Sequence, residues 1–118
     1  MISEKHQQLR ERTKKFALRI IRMSQALPNT RAANVITNQI LRSATSINAN
    51  YRAAGRSRTK AEFIAKIGLV LEEADETVCW LELLAESGIV PATKLRELLA
   101  EANELVAIFA ASRRTVRS

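Results

Sequence analysis

At 118 residues, with 47% hydrophobic and 26% charged residues, the chain is one globular domain by size and neither disordered nor membrane-embedded by composition. Nineteen Lys and Arg against twelve acids give a formal charge of +7, which points to an acidic or phosphate-bearing partner. A single cysteine excludes an internal disulfide and fits the cytoplasm, and an N-terminus charged almost from the start offers no signal peptide.

Three Gly and two Pro leave room for few turns, and the chain reads as all-α. Helix one is expected from about Ser3 to Leu27, where Leu9, Phe16, Ile20, Met23 and Leu27 recur at three- and four-residue steps and so share a face. Pro28-Asn29 ends it. Helix two runs from about Thr30 to Ala54 on the stripe Ile36, Ile40, Ala44, Ile47 and Tyr51, and Gly55 is placed to close it in the left-handed conformation. Thr59 followed by Glu62 forms a capping box that starts helix three, about Lys60 to Ser87, with Phe63, Ile67, Val70, Ala74, Leu81 and Leu84 inward. Gly88 stops it, Pro91 suits a first helical turn, and helix four follows to about Arg113 on Leu95, Leu98, Ala102, Leu105 and Phe109. Loops this short favour antiparallel neighbours, so the expected fold is an up-down-up-down four-helix bundle formed by residues 1–118 as a single domain. The longest apolar run, Leu105 to Ala111, is too short to span a bilayer.

Helix three is apolar over roughly 220° at about 100° per residue, more than one bundle interior needs. Leu69, Trp80 and Leu83 form a flank of their own. They either cap the core edge beneath long side chains or form a subunit interface, and an aromatic anchor among leucines favours the interface. Gly68, inside the same helix, falls on its polar side with no evident reason.

Charge is unevenly spread. Between Glu11 and Glu62 there are eleven Lys or Arg and no acid, while helices three and four hold ten of the twelve acids. The expected topology brings the start of helix one, the two-to-three loop and the end of helix four to one pole. That pole collects Arg10, Arg12, Arg52, Arg56, Arg58, Lys60, Arg113, Arg114 and Arg117, and Arg12, Lys15, Arg19 and Arg22 continue it up helix one. Such a concentration is the footprint of contact with phosphates of RNA or DNA. The plainer reading is that cations near helix C-termini suit the macrodipole and aid solubility. Base-stacking aromatics are missing from the pole apart from Tyr51, which belongs to the core stripe, so sequence-specific readout is not expected.

Catalytic chemistry is not legible. His6 has no evident partner and is expected in solvent, and Cys79 has no His or second Cys in register. Glu72, Glu73, Asp75 and Glu76 lack the inward histidines of bundle metal sites and read as a solvated face or as partners for basic groups of a neighbouring helix or subunit. No enzyme, cofactor, metal, small-molecule substrate or membrane contact is expected. Gln39, Ser43, Ser46 and Asn50 form a polar stripe beside the apolar face of helix two, read as a structural hydrogen-bond network rather than a ligand pocket.

Several short patterns together resemble a known family. Ser46-Ile47-x-x-Asn50-Tyr51, Arg56-Ser57, Glu62-Phe63-x-x-Lys66 and Glu73-Ala74-x-Glu76-Thr77-x-x-Trp80-Leu81-x-Leu83-Leu84, with Leu27-Pro28 and Gln39-x-x-Arg42-Ser43 upstream, are similar to the bacterial four-helix-bundle proteins encoded within intervening sequences of 23S ribosomal RNA genes. The similarity covers about residues 9 to 90. It implies a bundle assembling into a homopentameric ring, and kinship with the Avd-like accessory proteins of diversity-generating retroelements, which bind nucleic acid and a reverse transcriptase. It also implies a structural role for Ser46, Asn50, Glu73, Glu76 and Trp80. Where the family carries an acid just before the helix-two terminus, this chain has Ala53 and Ala54, which leaves the following loop more basic. The resulting expectation is a non-enzymatic, oligomeric helical scaffold whose basic pole contacts RNA or DNA. Its rival is a protein-only adaptor that docks an acidic partner.

Overall fold

A computed structural model describes residues 3–117, which form four helices and no strand: α1 (Glu4–Gln25), α2 (Arg31–Ala54), α3 (Lys60–Glu86) and α4 (Ala92–Arg117). They pack lengthwise into a body of 44 × 22 × 21 Å. Each of the first three starts on a hydroxyl that accepts an amide three residues on: Ser3 from His6 at 3.1 Å, Thr30 from Ala33 at 3.3 Å and Thr59 from Glu62 at 3.0 Å. These bonds satisfy one of the amides that a helix start leaves without a partner. The return arm of the expected capping box differs, because the Glu62 carboxylate accepts the Arg58 amide at 3.4 Å.

The apolar stripes meet in one core. Phe16, Ile20, Ile40, Ile47, Ile67, Leu81, Leu84, Leu95, Leu105 and Phe109 have lost essentially all contact with solvent. Tyr51 joins them and stands 5.3 Å, centroid to centroid, from Phe109. The expected inward residues Met23, Leu27, Ile36 and Phe63 are only half-buried and sit at the core's edge. The α1–α2 and α3–α4 loops share one end of the body, where Leu27, Val90 and Pro91 line a common cleft.

Two helix ends depart from expectation. Gly55 closes α2 at φ −65°, in the ordinary right-handed region, so backbone freedom is not why glycine stands there. A Cβ at position 55 would fall 2.2 Å from His6 Nε2 and 2.6 Å from Cε1, far inside contact distance. Gly55 is the space into which the imidazole fits. Left-handed geometry occurs instead at Gly88, with φ 80°, where the chain reverses and the Val90 amide reaches the Leu84 carbonyl at 3.2 Å. Helix α4 also runs one turn past Arg113, to Arg117.

Candidate phosphate-binding pole

Residues from the start of α1, the α2–α3 loop and the end of α4 line one cavity, so these three segments do share a pole. Arg52, Arg56, Arg58, Lys60 and Arg114 are exposed there, and among the described residues none has a carboxylate within 4 Å. Their charge is therefore available to a partner. The α2–α3 loop supplies Arg56 and Arg58 because α2 ends at Gly55 and α3 begins only at Lys60.

Other expected members of the pole are already engaged. Arg12 makes a bidentate pair with Glu101, Nε to Oε2 and Nη2 to Oε1 both at 2.7 Å, and its Nη2 lies 3.2 Å from Glu104. The bonds to Glu101 hold its pKa well above the usual arginine value. A guanidinium fixed this way on α4 is a helix-to-helix clamp, not a free phosphate ligand. Arg19 faces Glu97 at 3.8 Å, so two members of the basic stripe expected along α1, Arg12 and Arg19, are answered by acids of α4. Arg113 is half-buried and lies across α3, its Cζ 4.0 Å from where a Gly68 Cβ would be, with Nε buried and unpartnered. Gly68 thus sits beneath an arginine, with room to spare.

His6 is the largest departure from expectation. It is buried, stacked on Tyr51 at 4.5 Å with the rings 22° apart, and among the described residues its Nε2 finds no partner. Desolvation, helped by the charge of Arg10, lowers its pKa, and the ring is neutral near pH 7. Burial likewise pushes the Tyr51 hydroxyl up to about 12. The sequence signal that could have found His6 is its spacing: His6, Leu9, Thr13, Phe16 and Ile20, five of the six buried positions of α1, follow at steps of three and four.

The polar residues of α2 divide into two groups. Arg42, outside the expected network, donates to Glu73 at 3.1 Å and to Glu76, which also accepts from Trp80 Nε1 at 3.2 Å. These bonds, that from Arg42 foremost, lower the Glu76 pKa. Gln39 accepts from Arg42 Nε at 3.4 Å, at the rim of the same cluster. Asn50, by contrast, donates to the Ser46 carbonyl of its own helix at 3.0 Å and crosses to no neighbour. Two further polar bonds cross between helices, one through Ser43 of the same stripe and one through Asn48 outside it. Ser43 Oγ and Thr77 Oγ1 lie 2.8 Å apart with no solvent contact, and Asn48 Nδ2 donates to Thr13 Oγ1 at 3.0 Å. On the outer flank of α3, Leu69 and Leu83 are 44% and 45% exposed and Trp80 is half-buried beside Glu76. Cys79 is exposed on the same helix. Among the described residues no group of three or more His, Cys, Asp or Glu could hold a metal, and no helix is long and apolar enough to cross a membrane.

The family model of the 23S rRNA-intervening sequence protein matches residues 5–111. The chain belongs to this family. A search of curated proteins gave no match. Among solved structures, the chain is similar to a protein of unknown function from the S23 ribosomal protein family of Bacteroides thetaiotaomicron, at 32% identity and a TM-score of 0.85, covering 93% of this chain and 98% of that one.

Proposed function

We propose that this family member is a non-enzymatic scaffold, a four-helix bundle whose basic pole binds the phosphates of RNA or DNA in the cytoplasm. One observation carries the reading: Arg12, Arg19 and Arg42 are paired with acids of α3 and α4, while the exposed Arg52, Arg56, Arg58, Lys60 and Arg114 gather at one pole with no carboxylate within 4 Å among the described residues. Unpaired, exposed guanidinium groups are the ones that displace condensed counterions from a nucleic-acid backbone. We further propose that copies assemble through the exposed Leu69 and Leu83 with Trp80 between them, as a homopentameric ring. Such a ring would present several basic poles to one strand, a suitable architecture for an Avd-like accessory to a ribonucleoprotein or reverse transcriptase. A monomer mass by light scattering at micromolar concentration would remove the ring from the proposal.

The test of the pole is a fluorescence-anisotropy titration with mixed-sequence RNA and DNA at several salt concentrations. Log K falls by about 0.7–0.9 per phosphate contact for each log unit of salt. Reversing Arg56 and Arg58 to Glu flattens that slope and weakens all sequences alike, because backbone contacts carry no sequence information. No binding at about 50 mM salt, or equal slopes for both proteins, would transfer the pole to an acidic protein partner.

A further inference from the structure

The basic pole holds a pocket as well as a surface. It is about 540 Å³, within the size class of small-ligand sites, and opens between the start of α1, the α2–α3 loop and the end of α4. Lys5, Arg58 and Lys60 line it together with the apolar Leu9, Phe63 and Val116, and among the described residues no Asp or Glu does. Two of its lining side chains carry buried polar atoms with no hydrogen-bond partner among the described residues, Ser57 Oγ and His6 Nε2. His6 is only 9% exposed, and its unpartnered nitrogen lies against Gly55 in the pocket wall. Buried polar atoms without partners are rare, and two in one cation-lined pocket suit a ligand with acceptor oxygens. Helix α3 begins at the same pocket, so the positive end of its dipole adds to the cations there.

A strand crossing the exposed arginines offers phosphodiesters, each with a single charge. A strand end offers more: a terminal phosphate carries about −1.5 to −2 charges and three acceptor oxygens. Resting on the reading of the pole as a nucleic-acid surface, we propose that this pocket seats the phosphorylated end of an RNA or DNA strand. Arg58, Lys60 and the Ser57 hydroxyl hold the phosphate, and the terminal nucleoside lies against Phe63 and Val116.

The experiment uses one internally labelled oligonucleotide in three forms, phosphorylated at the 5′ end, at the 3′ end, or at neither, titrated at fixed salt. One phosphorylated form is expected to bind at least about ten-fold more tightly than the hydroxyl-ended form, the effect of one charge-assisted hydrogen bond. Ser57→Ala, which removes one of the groups that hold the phosphate, abolishes most of that preference. Adenosine 5′-monophosphate, as a competitor, displaces the phosphorylated form before the hydroxyl-ended one. Equal binding of all three forms would overturn the pocket and leave the pole intact. Loss of binding by all three would overturn the pole and the pocket with it. Adenosine 5′-monophosphate binding as tightly as the phosphorylated strand would overturn the strand end as ligand in favour of a free nucleotide.

Discussion

Gly55→Ala reverses the usual effect of its substitution class. At φ −65° and ψ −14° alanine fits the backbone without strain, and reduced freedom of the unfolded chain would stabilise the fold by ~0.4–1 kcal/mol. The imidazole of His6 opposes this, because a Cβ would stand 2.2 Å from Nε2 and 2.6 Å from Cε1. His6 cannot yield freely, being buried and stacked 4.5 Å from Tyr51. Overpacking of this kind costs ~1–3 kcal/mol, and expelling the ring forfeits an aromatic contact of ~0.5–1.5 kcal/mol together with its burial. The net expectation is a loss of ~1–2 kcal/mol. Urea denaturation followed by circular dichroism, on both single variants and the double variant, measures it. In a His6→Ala background the obstacle is gone, and Gly55→Ala should then stabilise by ~0.4–1 kcal/mol. A sign that stays negative in that background, or is positive in the wild-type background, would refute the steric account.

Gly68→Ala should behave oppositely, raising the urea midpoint by ~0.5–1 kcal/mol of stability, since the nearest outside atom to its Cβ is Arg113 Cζ at 4.0 Å. The depressed pKa of His6 sets a pH dependence: the contribution is complete above the unfolded value of 6.5 and is lost as pH falls through the lower folded value. Denaturation between pH 7 and pH 5 should show falling stability in wild type and a smaller fall in His6→Gln. Thr77→Val should cost ~1–2 kcal/mol by removing a buried bond to Ser43, while Asn50→Leu should cost under ~1 kcal/mol because Asn50 bonds only within its own helix. Equal midpoints for those two variants would show that the α2–α3 hydroxyl pair carries no stability.

Helical periodicity made most of the fold legible, because each helix has an apolar stripe and burying it leaves few arrangements for four rods. Lateral relations between side chains were not legible. Gly55 looked like a left-handed cap because glycine after a helix usually is one, and only the approach of a residue 49 positions earlier shows otherwise. His6 looked solvated because it lies near the terminus, although it keeps the spacing of the α1 core positions. The polar network was placed by its stripe on α2, but a stripe fixes direction and not partners. Asn50 and Ser43 share that stripe, and only Ser43 meets a hydroxyl from α3.

The charge pattern illustrates how sequence imbalance and surface imbalance differ. The window from residue 12 to residue 61 contains no acid, yet three of its eleven cations are paired sideways. Arg12 and Arg19 are met by Glu101, Glu104 and Glu97 of α4, and Arg42 by Glu73 and Glu76 of α3. Those acids are far off in sequence but alongside in space, since antiparallel neighbours bring distant segments level. The α2–α3 loop has no such neighbour of opposite charge. The nearest acid in sequence, Glu62 in the first turn of α3, turns its carboxylate to the Arg58 amide instead of an arginine side chain. With a screening length of about 8 Å at physiological salt, the paired cations contribute little beyond their clamps. Arg52, Arg56, Arg58, Lys60 and Arg114, exposed and without such a clamp, therefore keep their charge for a partner and lie together at one pole.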